Sequence, residues 1–167
     1  MSQASNKVKW CVSKAEKELA ETGMHRGIVA KDQDIVLANL HIAKATHNLS
    51  AALFFEKNGY SDWSASAFFY SIYHCFLAIL RKFGYESRNQ ECTVAVIEML
   101  QEQGKIKIDS KLINSLKIMP TDEQTIIKIR EDFQYGTSTD FHKKEQFDNL
   151  SRMCKDAIET AKQIVFS

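Results

Sequence analysis

Residues 61–83 read SDWSASAFFYSIYHCFLAILRKF, and the reading of this stretch decides the fold. Three stripes run along it at helical spacing. Phe68, Ile72, Cys75 and Ile79 form one, Phe69, Phe76, Leu80 and Phe83 a second, and Trp63, Ala67, Tyr70, His74 and Leu77 a third. Apolar side chains on nearly every side mean a central helix packed against several neighbours. Ser61 or Asp62 caps its start. The stretch is apolar enough to raise the question of a membrane span. Between Trp63 and Leu80, its most apolar part, three serines, two tyrosines and one histidine argue against that, so no membrane association is expected.

Working outward, the same period recurs on both sides. Before the spine, Ile35, Ala38, Ile42, Ala45, Leu49 and Ala52 step 3-4-3-4-3 and predict a helix over 34–57, stopped by Asn58-Gly59. Val8, Val12, Ala15 and Leu19 predict a shorter helix over 7–21, ended by Thr22-Gly23, with a linker over 24–32. After the spine, Gly84-Tyr85 closes the central helix. A helix follows over 89–103, then a short one capped by Asp109 that stops before Pro120. Thr121-Asp122-Glu123-Gln124 has the pattern of a capping box for the next helix, whose inner face is Ile126, Ile129 and Phe133. Phe147, Leu150, Cys154, Ala157, Ala161 and Ile164 define a last helix over 141–165. Strand-like alternation is confined to 105–108, too short to found a sheet. The expected fold is all-α, an antiparallel up-and-down bundle over 34–167 with an extra N-terminal helix and linker over 1–33.

Composition agrees. The chain has 167 residues, enough for one domain, and 44% are hydrophobic, enough to fill a core. One proline and six glycines favour long helices over a turn-rich β fold. A net charge of +1 argues against indiscriminate coating of nucleic acid but leaves room for a local basic cleft. Cys11, Cys75, Cys92 and Cys154 form no CxxC pair, which argues against a zinc ribbon or thioredoxin-like motif; three of them lie in apolar helical stretches, and buried free thiols are expected. The first ten residues contain no apolar signal segment, which points to the cytoplasm.

Most catalytic templates fail. There is no phosphate-binding loop, dinucleotide fingerprint, HExxH or GxSxG, so no cofactor is expected. His41 and His47 are six apart, on different faces of a helix, and make a poor metal pair; no metal site is expected. Two residues stand out. His74 lies in the middle of the apolar spine, as a bonded core histidine or as a proton-handling group in a cleft. Arg130 lies beside the Ile126, Ile129 and Phe133 stripe, as a side chain snorkelling along the bundle or as a guanidinium held for a phosphate.

At these residues the chain resembles the HEPN superfamily, especially small prokaryotic members encoded beside a minimal nucleotidyltransferase. Ala43 to Gly59 is similar to the family's first core helix. Ser64-Ala65-Ser66-Ala67-Phe68-Phe69-Tyr70-Ser71-Ile72-Tyr73-His74 is similar to its aromatic central helix, and Arg130 to Gly136 with the final helix to its last third. The resemblance covers roughly 34–166. Ribonuclease members of the family carry an arginine, four to six spacers and a histidine. Arg130 matches the arginine, but Tyr135 stands at the four-spacer position and no histidine follows in range. A phenol, titrating near pH 10, is a weak base at neutrality.

Three functions are compatible with these residues. The resemblance implies, first, a non-catalytic homodimeric module that binds a nucleotide or RNA through Arg130, Tyr135 and His74, or docks a nucleotidyltransferase partner. The second is a toxin-like, metal-independent ribonuclease using Arg130 with His74 or Tyr135. The third is a structural interaction bundle without a ligand.

Overall fold

A computed structural model of the chain describes residues 2–118 and 125–167. Its elements, in order, are α1 (Gln3–Thr22), β1 (Ile28–Ala30), α2 (Ile35–Lys57), α3 (Ser61–Lys82), β2 (Tyr85–Ser87), α4 (Gln90–Glu102), α5 (Ser110–Ser115), α6 (Ile126–Tyr135) and α7 (Lys144–Phe166). The all-helical bundle read from the sequence is the fold observed. Pro120 and the capping-box residues 121–124 lie outside the described residues.

The spine is α3, which packs against α2, α4, α6 and α7. Phe68, Ile72, Phe76, Ile79 and Leu80 are buried along it. α2 and α3 form an antiparallel hairpin around Asn58-Gly59, and small residues set its register. Ala38, Ala45 and Ala52 recur every seven positions on α2, as Ser64, Ser71 and Ala78 do on α3, and all six are fully buried. Side chains this small let the two backbones approach closely. The serine hydroxyls then donate across the seam: Ser64 Oγ to the Ala52 carbonyl at 2.7 Å and Ser71 Oγ to the Ala45 carbonyl at 2.9 Å. A buried hydroxyl would cost stability without such a partner.

Helix starts follow their caps. Asp34 accepts from the Leu37 amide, Asn89 from Cys92 and Asp109 from Lys111. α1 begins earlier than its apolar stripe suggests, because Ser2 accepts from the Ser5 amide and caps it there. α3 begins at Ser61 without a side-chain cap, Tyr60 preceding it. α7 begins at Lys144, later than expected. Phe141 is not helical; it packs between Phe133 and Phe147, with ring centroids 4.6 and 5.5 Å away.

Two features differ from the sequence reading. The linker over 24–32 contains β1, which pairs antiparallel with β2, Ile28 facing Ser87 and Ala30 facing Tyr85. Residues 105–108 form no strand, in agreement with a stretch too short to found a sheet, and Ile106 and Ile108 are buried core side chains. Cys11 and Cys92 are joined in a disulfide between α1 and α4, while Cys75 and Cys154 are free and buried as expected. Burial pushes the Cys154 thiol up to about 12, and the group donates to the Phe68 carbonyl.

The N-terminal segment is thus tied to the bundle by the disulfide, the two-stranded ladder, polar contacts from Ser2 and Lys7 to α4, and a charge cluster. In that cluster Glu86 meets His25 at 3.3 Å, Arg81 at 3.2 Å and Arg88 at 3.6 Å. Burial alone would raise the Glu86 carboxyl, but hydrogen bonds from His25 and Arg81 outweigh it and hold the group below its usual range. Gly84 permits the strand crossing. It has φ +76°, and a Cβ there would stand 2.6 Å from the Lys31 carbonyl oxygen.

Candidate functional site

Arg130 sits on the inner arc of α6, between the buried Ile126 and Ile129 and the half-buried Phe133. Its guanidinium lies over the Phe69 ring of α3, 4.2 Å from the centroid. This stacking satisfies the flat cation without a carboxylate. The Nε atom is buried and makes no hydrogen bond among the described residues. A guanidinium held flat over a ring has the planar fork of donors that suits a multidentate acceptor such as a phosphate, presented by its terminal nitrogens.

The floor beneath Arg130 is aromatic. Phe69 stacks on Tyr73 with centroids 5.8 Å apart and meets Tyr70 edge-on at 5.1 Å. Tyr73 reaches the Thr93 hydroxyl of α4 at 3.4 Å. Burial raises its phenol above the ordinary value against the opposing pull of the Thr93 and Ser87 hydroxyls. Phe69 and Tyr73 therefore hold α6 and α4 on one side of α3.

His74 occupies a different side of the spine. Five residues separate it from Phe69, a turn of roughly 140° around the helix. Its Nδ1 meets Nδ1 of His41 on α2 at 2.9 Å, with ring centroids 5.2 Å apart. One imidazole donates and the other accepts, so each fixes the other's tautomer. Burial, the neighbouring His74 and the positive Arg81 together lower His41 to about 4. Burial, with Lys44 nearby, lowers His74 as well. Both rings are neutral at neutral pH. His74 is a bonded, half-buried histidine, and its partner was not among the residues singled out for a functional role in the sequence.

Tyr135 is the last residue of α6, also five positions and roughly 140° from Arg130, and is 80% exposed. Arg130 is stacked on Phe69 and His74 is bonded to His41, while Tyr135 is exposed at the end of α6. Of the three residues singled out in the sequence, Arg130 alone stands over the aromatic floor. The residues that sequence reasoning missed there are Phe69 and Tyr73, which had been read only as core stripe and helix body.

The described residues thus form an antiparallel helical bundle in which an inward-held arginine lies above an aromatic floor. The HEPN domain family model matches residues 38–166. The chain belongs to that family, and so to a class of nucleotide- and RNA-related helical modules. The match begins within α2, leaving α1 and β1 outside it. No curated protein matches the chain.

Proposed function

We propose that the protein is a non-catalytic HEPN module that binds RNA or a nucleotide, with Arg130 as the phosphate contact. The observation that carries this reading is the Arg130 guanidinium, stacked on Phe69 with its Nε buried and unbonded. A structural arginine spends its donors on carboxylates or carbonyls; this one keeps a donor unused. The exposed Tyr70 ring lies next to Phe69 and offers a surface on which a base can stack.

Among the described residues, neither candidate base of the ribonuclease reading stands in an obvious position to act with Arg130. Cleavage needs a group that takes the ribose 2′-hydroxyl proton within hydrogen-bond reach of the phosphate contact. His74 is engaged with His41 on another side of α3, and Tyr135 is a phenol directed away from Arg130. Docking of a nucleotidyltransferase partner is compatible with the same bundle and does not require Arg130.

Equilibrium binding of a fluorescent single-stranded RNA tests the proposal. Losing a charge-assisted contact costs about 1.5–3 kcal/mol, so Arg130→Ala should weaken binding by about ten- to a hundredfold. Equal affinity for the two proteins would remove Arg130 from the site.

A further inference from the structure

Trp10 takes no part in the core. It is 54% exposed on α1, whose other side, Ala4, Val8, Cys11 and Ala15, is buried with α4 as its main neighbour. The indole carries two ammonium groups instead. Lys7 Nζ lies 4.9 Å from the ring centroid and Lys14 Nζ 5.1 Å from it. Helical spacing puts them there, three residues before Trp10 and four after it. Lys17 continues the strip, paired with Glu21 at its far end. From Ser2 to Ala15 every charged side chain is a lysine: Lys7, Lys9 and Lys14. Lys7 is shared with Glu91 of α4 at 3.2 Å, whereas Lys14 pairs with no carboxylate among the described residues. The strip precedes the HEPN match, which starts at residue 38, and lies on a different helix from Arg130.

From this strip we infer that α1 carries a second contact for single-stranded RNA, with Trp10 stacking on a base and Lys7 and Lys14 meeting the phosphates beside it. The inference extends the RNA-binding reading and rests on it, but not on the role of Arg130. An exposed indole offers a flat face to any base, and cations on either side of it follow the backbone; that pairing is how single strands are held without sequence readout. When a base takes the ring, the two ammonium groups turn to the phosphates and exchange a cation–π contact for a charge-assisted one. A lipid surface suits the strip less well. A helix lies in a membrane interface by its apolar face, and that face of α1 is spent on the bundle, with Cys11 bonded to Cys92. The same disulfide, at the residue next to Trp10, holds the helix in place before RNA arrives, so binding has little ordering left to do.

Tryptophan emission tests it. The chain has two tryptophans, and Trp63→Phe, at an exposed position of α3, leaves Trp10 as the reporter. That protein is titrated with a short uridine oligonucleotide, with inorganic polyphosphate and with phosphatidylglycerol vesicles. The expected result is quenching of Trp10 by the oligonucleotide and not by polyphosphate, which has the charge without the bases. Affinity for the labelled oligonucleotide should fall about tenfold or more in Trp10→Ala and stay within a few-fold in Trp10→Phe, which keeps a ring to stack on. Lys14→Ala should flatten the slope of log affinity against log salt by about 0.7, the effect of one phosphate contact on a single strand. Circular dichroism reports whether each variant keeps its helices. Equal affinity of Trp10→Ala and the unmodified chain overturns the inference, and leaves Arg130 standing if Arg130→Ala binds weakly. Loss in Trp10→Ala with none in Arg130→Ala supports the α1 contact and removes Arg130. Failure of the unmodified chain to bind RNA overturns both. Quenching by polyphosphate as strong as by RNA, or a blue shift on vesicles with no response to RNA, overturns the α1 contact.

Discussion

Lowering the pH from neutrality to about 4.5 should destabilise the fold through the His41–His74 pair, before the carboxylates are involved. The sign follows from the shifts. His41 falls from 6.5 to about 4 in the folded protein, and His74 is lowered too. A histidine depressed on folding binds its proton more tightly in the unfolded chain. Its stabilising effect is therefore complete above 6.5 and is lost as the pH falls from there toward 4. For His41 the shift corresponds to a ceiling of about 3 kcal/mol at 1.36 kcal/mol per unit. The ring is only half-buried, and solvent screening reduces this to about 1–2 kcal/mol. For a domain of this length that is a fall in Tm of about 3–8 °C. Glu86, held below its usual range, contributes in the same direction but only below about 4.5, its ordinary value, so the two windows are separable. The assay is thermal unfolding followed by circular dichroism at closely spaced pH values, on the unmodified chain and on His41→Leu/His74→Phe. The double variant should show a nearly flat Tm between pH 6.5 and 4.5. If it loses as much stability over that window as the unmodified chain, the pair is not the origin and the reasoning fails.

Other consequences follow from single contacts. His74→Ala leaves the His41 Nδ1 unpaired and should cost about 1–2 kcal/mol of stability, the lower part of the range for a buried polar group, while changing RNA affinity little. Retained Tm with lost binding would place His74 in the ligand site. Reducing Cys11–Cys92 opens a loop spanning 81 residues and should lower stability by about 2–4 kcal/mol, read as a shift in the denaturant midpoint between Cys92→Ser and the oxidised chain. Ala45→Leu forces a branched side chain into the α2–α3 seam at a fully buried position beside the Ser71 hydroxyl, and should destabilise by about 1–3 kcal/mol or more in chemical denaturation. A neutral effect would mean the seam has slack.

The spine was legible because its sequence leaves no other option: a helix apolar on most sides must be surrounded. The hairpin was legible from Asn58-Gly59, and its register was present as well. Small residues seven apart on each helix pair Ala45 with Ser71 and Ala52 with Ser64, and one further step pairs Ala38 with Ala78, which leaves positions 41 and 74 facing each other between the last two pairs. His41 was instead compared with His47, its neighbour in sequence, when its partner was across the seam. Features joining distant segments carried no local signal. Each strand is three residues long, and the two lie far apart in the chain, so no alternation could reveal them. The disulfide joins residues 81 apart in a chain where spacing suggested free thiols. Arg130 was legible as a residue at the edge of a stripe. Its stacking on Phe69 was not, because Phe69 belongs equally well to the core of α3. Tyr135 was placed by counting spacers, and counting does not give direction around a helix.

The proposed role of Arg130, phosphate binding without cleavage of the RNA, has one direct test. The direct measurement is incubation of mixed single-stranded RNA with the protein in EDTA, following bound and cleaved RNA together, alongside Arg130→Ala and Tyr135→His. The account predicts binding by the unmodified protein, weaker binding by Arg130→Ala, and intact RNA throughout. Tyr135→His should also leave the RNA intact, because position 135 lies on the solvent side of α6, away from Arg130. Robust cleavage by the unmodified protein, abolished by Arg130→Ala, would contradict the account and make the protein a ribonuclease.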